Sequence, residues 1–264
     1  GTDEGHVTIT VEGRNDKPVG VADAFVTNES ALYSRNVLAD NGAGADRDPD
    51  AGAVLHVGRV QGFAANVGQS IDLAAGGRIR VNADGQFWFA PDGDFEDLGA
   101  GESRTVSFTY TVTDQFNHSA LSPTTVTVTV QGQDDPAVAQ DDALTVAEDG
   151  TLSVSVFADN GAGADTDLDG DPLAVAAVDG LAANVGQPVA LAGGGVVTLG
   201  ADGMLAFDPA GDFDHLAAGD SAEVGFDYTL AGGSTASVSV TVTGANSAPI
   251  ASDDQFSPSE RATA

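Results

Sequence analysis

The chain contains no cysteine, so neither disulfides nor thiolate ligands can support it, and its stability must come from packing, closed sheets or oxygen-bound metal. Basic residues are nearly as scarce. Nine Lys and Arg face 40 Asp and Glu, Lys17 is the only lysine, and the net charge of −31 argues against nucleic acid or an anionic membrane surface as a partner. Cations are the natural counterpart. No run of 18 apolar residues occurs, so membrane insertion through a helix is not expected. The opening GTDEGHVTIT is acidic where an export signal would be basic and then apolar, and this stretch is not expected to direct export.

Catalytic signatures are missing as well. His6, His56, His118 and His215 are scattered and form no HExxH, and there is no GxSxG elbow. Lys17 lies in no phosphate-cradling glycine loop, and no GxGxxG opens a helix. Acids abound, but they cluster in loops, whereas glycoside hydrolysis needs one acid shielded in a pocket with a raised pKa. These absences point away from an enzyme.

What is present is a long internal repeat. ADNGAGAD stands at 39–46 and again at 158–165, 119 residues on; AANVGQ stands at 64–69 and 182–187, and GDF at 93–95 and 211–213. FTYTV at 108–112 answers FDYTL at 226–230. HVTITVEG at 6–13 matches the closing strands TVTVTVQG and VSVTVTG, so residues 1–13 read as the C-terminal strand of a preceding repeat. GANSAPIASDDQF, from 244 on, aligns with the start of both copies, and residues 245–264 read as the start of a following one. Repeat 1 then spans 14–132 and repeat 2 spans 133–244.

Within each copy the pattern predicts strands only. TVSFTYTVTD puts Val106, Phe108, Tyr110 and Val112 on one face and hydroxyls on the other, the period of a half-buried strand. Gly-rich and Asp-rich turns separate such runs, and no convincing helical period appears. Seven or more short strands in about 110 residues predict an all-β protein of tandem immunoglobulin-like β-sandwich domains.

The order of linker, EDGTL, DxDxDGDPL, ADG, FxxLAAG(D/E)S and FxYT resembles the VCBS and cadherin-like, immunoglobulin-type repeats of giant bacterial surface adhesins and RTX-type proteins. The resemblance covers the whole chain. It implies a non-catalytic, extracellular array at the bacterial cell surface, secreted by a type I route, that holds a ligand-binding tip away from the cell in adhesion or biofilm formation. Such arrays are usually stiffened by calcium.

The residues themselves suit that ion. Asp165, Asp167, Asp169 and Asp171 alternate in DTDLDGD, and Asp46, Asp48 and Asp50 alternate in DRDPD at the equivalent place. Calcium takes six to eight oxygens, which alternate carboxylates of a tight loop can offer together. The loops are not EF-hands, because Val57 and Ala176 stand where the twelfth-position glutamate would be. The first loop has Ala51 and Gly52 in place of a Gly-Asp pair and is expected to bind more weakly. The alternative is that Asp and Gly merely make good turns.

By analogy with cadherin-like repeats, further ligands are expected from the linkers and from an acid early in each domain. The resemblance implies one group of Glu148, Asp165, Asp167 and Asp169 with linker residues Asp134 and Asp135. It implies a second of Glu29, Asp46, Asp48 and Asp50 with Asn15 and Asp16. The expected partners are calcium and the neighbouring repeats of the same chain.

One residue opens a different reading. In DGQFWFAP, Phe87 and Phe89 share a face, so Trp88 is expected on the solvent face; its counterpart in repeat 2 is Ala206. An exposed indole on a sheet can stack a sugar ring, which would make repeat 1 a calcium-assisted carbohydrate-binding module with surface glycans as partners. The alternative is that Trp88 packs against a loop.

Overall fold

The computed structural model describes residues 1–246 and is all-β apart from two three-residue 3-10 turns. It divides into unit 1, Gly1–Asp135 with Leu168–Gly170, and unit 2, Pro136–Asp167 with Asp171–Ala264. The proposed opening of a third repeat lies, from residue 247 on, outside the described residues. Residues 1–18 form no strand, and the alternating Val7, Ile9 and Val11 stand open to solvent. A lone segment has no ladder to join.

Unit 1 contains β1 (Asp23–Asn28), β2 (Tyr33–Asn36), β3 (His56–Val60), β4 (Ser70–Asp72), β5 (Arg78–Val81), β6 (Gln86–Ala90), β7 (Ser103–Thr113) and β8 (Thr124–Gln131). They form two four-stranded sheets, ordered β1-β8-β7-β3 and β2-β6-β5-β4. Unit 2 repeats the plan with β9 (Asp142–Ala147), β10 (Leu152–Ser155), β11 (Val175–Val178), β12 (Val189–Ala190), β13 (Val196–Leu199), β14 (Met204–Asp208), β15 (Ser221–Leu230) and β16 (Thr235–Thr243). Its sheets run β9-β16-β15-β11 and β10-β14-β13-β12.

Period-two alternation sends one side of each strand into the core between the sheets. In unit 1, Val106, Phe108, Tyr110 and Val112 of β7 meet Ile79, Phe87 and Phe89 of the facing sheet in one buried cluster. Phe87 is its centre, with ring centroids 5.3 Å from Phe108 and 5.5 Å from Phe25. In unit 2 the same positions hold Val224, Phe226, Tyr228, Leu230, Val197, Leu205 and Phe207. β1 pairs in parallel with β8, the last strand of its unit, and β9 does so with β16; each remaining pair in these sheets is antiparallel.

The repeated words are the ones that fix turns. Asn66 and Asn184 of AANVGQ donate to the carbonyls of Val60 and Val178, both at 3.1 Å. The Asp of GDF accepts the N–H of Gly77 in unit 1 (2.7 Å) and of Gly195 in unit 2 (2.8 Å). Both glycines sit at positive φ, 76° and 79°, and a Cβ there would press on the rings of Phe89 and Phe207 at 2.5 and 2.6 Å.

Candidate metal centre

The duplicated octapeptide ends in an aspartate that faces inward. Asp46 Oδ1 accepts the N–H of Val21 (2.6 Å) and its Oδ2 accepts the Tyr110 hydroxyl (2.8 Å). Asp165 repeats this with Gln140 N–H (2.7 Å) and Tyr228 (2.8 Å). Asn41 reaches from the same loop to Asp23 (2.8 Å), and Asn160 to Asp142 (2.7 Å). Asp40 and Asp159 take the N–H groups of the two following glycines, which closes the loop on itself. Of the alternating carboxylates, Asp46 and Asp165 therefore tie the loop to the core tyrosine.

These networks bury charge. Burial pushes Asp23 from 3.8 up to about 6; Asn41 and Tyr110 pull it back, and the Asp46 charge adds to the rise. Asp142 is likewise pushed to about 6 by burial, against Asn160 and with the charges of Asp165 and Asp141. Asp46 moves up for the same first reason.

A second set of acids gathers at one end of unit 1. Glu29 follows β1 and is 2% exposed. Its N–H donates to Gln131 O at the end of β8, and its Oε1 accepts the N–H of Gln133, at 2.6 Å. Asp135 N–H donates to Asp169 Oδ2 at 2.7 Å. The carboxyl of Glu29 is raised above its ordinary range, first by burial and then by the charges of Asp135, Glu96 and Asp169, with the Gln133 bond opposing. Glu29 Oε2, Asp135 Oδ2 and Asp169 Oδ1 are all buried with no hydrogen-bond partner.

Three orphaned carboxylate oxygens in one acidic neighbourhood are costly to leave without a cation. They fit calcium by chemistry, since hard oxygen donors are what that ion takes. Their spacing is looser than a closed cage: among the described residues, no group of three His, Cys, Asp or Glu is arranged to hold a metal ion.

The same parts recur elsewhere. Asp16 N–H donates to Asp50 Oδ2 at 2.7 Å, the counterpart of the Asp135–Asp169 bond, and Asp48 accepts the N–H of Asp50 while its Oδ2 stays buried and unpartnered. Asn15 beside it reaches Asp114. In unit 2, Glu148 accepts the N–H of Ala245 at 2.9 Å, and its Oε2 is orphaned in the way of Glu29. Asp167 accepts the N–H of Asp171, and Asp134 makes no hydrogen bond among the described residues.

The structure thus regroups the expected ligands. Glu29 feels the charges of Asp135 and Asp169, and Glu148 accepts from Ala245, whereas Asp46 and Asp165 are taken up by Tyr110 and Tyr228. Glu96 and Asp114 escaped the sequence reading. Their one signal is position: Glu96 follows GDF as Asp214 does, and Asp114 directly follows β7.

Among the described residues, no helix is long and apolar enough to cross a membrane. No curated protein sequence matches the chain. Among solved structures, human mucin-like protocadherin EC1-2 aligns with TM-score 0.45 and 14% identity over 88% of this chain and 100% of that one. Human CDH23 EC21-23 aligns with TM-score 0.46 and 12% identity over 88% and 70%, and mouse cadherin-23 EC22-24 with 0.44 and 14% over 88% and 65%. The bacterial cadherin-like domain profile matches residues 15–132 and again 134–244, and with both repeats accounted for, the chain belongs to the bacterial cadherin-like domain family.

Proposed function

We propose that the chain is a pair of non-catalytic, calcium-stiffened extender repeats of a large bacterial cell-surface adhesin of the RTX type, exported by a type I route and serving adhesion or biofilm formation. The observation that carries this is the orphaned trio Glu29 Oε2, Asp135 Oδ2 and Asp169 Oδ1. Calcium would be held by these three carboxylates with Glu96 in support, and the ion would supply the positive charge that the buried oxygens lack.

The chain's own residues do the rest. Gln133 is already bonded to Glu29 and Asp135 to Asp169, so the linker is held at both ends of a three-residue span. Tightening the carboxylates around it removes the linker's remaining freedom. Without a cation, the Glu29, Glu96, Asp135 and Asp169 charges repel one another in a partly dry setting, where a pair at about 4 Å costs about 4 kcal/mol. Glu148 would play the part of Glu29 for whatever follows residue 245.

Two measurements on one sample test the reading. Calcium titration by calorimetry is expected to show saturable binding that Glu29→Gln and Asp169→Asn each weaken at least about tenfold, the loss of one charged ligand. Melting with calcium at about 100 times its Kd should exceed melting in EDTA by about 2.7 kcal/mol per site. Identical melting curves and identical small-angle scattering in EDTA and in calcium would sink the proposal.

A further inference from the structure

The outer face of the β2-β6-β5-β4 sheet is unlike the rest of the molecule. Phe87 and Phe89 of β6 are buried, so Trp88 between them lies on the outer side, half-buried. Arg78 and Arg80 of β5 are exposed while Ile79 and Val81 are buried, which places both guanidinium groups on that same side. The register sets Ser34, Trp88, Arg80 and Ser70 in one row across the four strands. Trp88, Arg78, Arg80, Ser70 and Leu32 line a groove of about 270 Å³.

Unit 2 supplies an internal control. The register pair Arg80–Trp88 becomes Thr198–Ala206 there, Arg78–Ala90 becomes Val196–Asp208, and Ser34–Trp88 becomes Ser153–Ala206. The same sheet therefore folds without the indole or either cation, so these residues are not needed for packing. Residues 133–244 contain no Lys or Arg at all, and apart from Arg261 every base of the chain lies between Arg14 and Arg104. The only tryptophan and two of these bases meet in one groove.

The two arginines differ in what occupies them. Arg78 is bound to Asp72 (2.7 Å) and Asp92 (3.0 Å). Arg80 has no carboxylate partner among the described residues; its guanidinium lies over the Trp88 ring, 5.8 Å from the ring centre, and a ligand would share the indole with it. In a chain of net charge −31, a guanidinium without an acid beside it is open to an external anion. A guanidinium fork matches a carboxylate in two parallel hydrogen bonds, and an indole face takes the apolar side of a flat saturated ring. The groove falls just below the volume range of drug-sized sites and suits one ring.

We propose that this face of repeat 1 binds an anionic sugar: a carboxylate-bearing pyranose of an acidic glycan, its ring stacked on Trp88 and its carboxylate held by Arg80, with Ser70 as a hydroxyl partner. Arg78, bridged to Asp72 and Asp92, holds the groove wall. The site uses none of the calcium ligands, so it stands or falls apart from the calcium reading. Long-range repulsion by the acidic chain is screened within about 8 Å at physiological salt, so recognition is a contact effect and weakens with added salt.

The test uses the intact chain. Because Trp88 is the single tryptophan, its emission reports this groove alone. The probes are an oligogalacturonate trimer and a neutral galactose trimer, each titrated at low and high salt, in calcium and again in EDTA. The expected result is a saturable emission change with the uronate in both buffers and at least about tenfold weaker binding of the neutral sugar, the worth of a charge-assisted contact.

Arg80→Thr should lower uronate affinity about tenfold and abolish its salt dependence, and Trp88→Ala, followed by calorimetry, should remove binding. Both variants install the residues that unit 2 carries at these positions, and their melting should match the parent. The proposal is overturned by no response to the uronate, by equal binding of the neutral sugar, or by unchanged affinity in Arg80→Thr. It is also overturned if uronate binding vanishes in EDTA, since the acidic loops then bridge through calcium. A Trp88 signal that follows protein concentration, with dimers in sedimentation that Arg80→Thr dissolves, would assign the groove to a second copy instead.

Discussion

Replacing Tyr110 by Phe removes one oxygen from a place where three acceptors face it. The ring is fully buried, and its hydroxyl lies 2.8 Å from Asp46 Oδ2, 2.8 Å from Val37 O and 3.4 Å from Asp23 Oδ2. One hydroxyl hydrogen serves one acceptor at a time, and the charged Asp46 is the strongest. Without it, Asp46 keeps only the Val21 N–H and is left buried and short of a donor, which costs about 2–3 kcal/mol for a charged group. In urea this moves the unfolding midpoint of unit 1 down by about 1 M, taking a slope near 2 kcal/mol per M. Trp88 emission follows unit 1 selectively, so Tyr110→Phe should shift the fluorescence transition. Tyr228→Phe, which disturbs Asp165 in unit 2, should leave that transition in place and appear only by circular dichroism. An unchanged midpoint for Tyr110→Phe would show that the tyrosine–aspartate lock contributes nothing, and that the octapeptide is held by its glycines and Asn41 alone.

Three further outcomes rest on the same geometry. Asp23 and Asp142 have carboxyls raised from 3.8 to about 6, so the folded state holds the proton more tightly than the unfolded one. Their contribution is fully present below about pH 4 and is lost as pH rises through 6, by at most about 3 kcal/mol each, and protonated Asp23 can also donate to Tyr110. Urea midpoints in EDTA should fall between pH 5 and 7, and Asp23→Asn should flatten that fall for unit 1. Gly77→Ala should cost at least about 1–2 kcal/mol for the left-handed backbone, with an added cost from the Phe89 ring, read as a lower melting temperature. Phe87→Ala, which opens the centre of the unit 1 core, should cost about 3–5 kcal/mol by urea titration.

The strands were legible because one face of each is apolar and the other hydroxylic; Val106 to Val112 on β7 and the Phe87–Trp88–Phe89 alternation on β6 could be read directly. The candidate acids were legible as residue types but not as groups. Glu29 and Asp50 lie in the same repeat, yet β1 runs beside β8, so Glu29 is delivered to Gln131 and Gln133 and through them to the linker. Asp46 and Asp165 look like their neighbours Asp48 and Asp167 in the sequence. What separates them is a turn of the backbone that points them at a tyrosine more than 60 residues away, and no local pattern records that. Glu96 was hidden by abundance, one acid among many, and only its approach to Glu29 in space gives it meaning.

The parallel pairing of the first and last strand of each unit has a mechanical meaning. Since β1 and β8 point the same way, the polypeptide enters a unit at one pole and departs from the other. A pull on the two ends drags β1 and β8 in opposite directions along their length. All six of their residue pairs, and the six of β9 with β16, then take the load together rather than opening one rung at a time. A unit built this way resists an end-to-end pull through its backbone ladder, before any side chain is asked to hold.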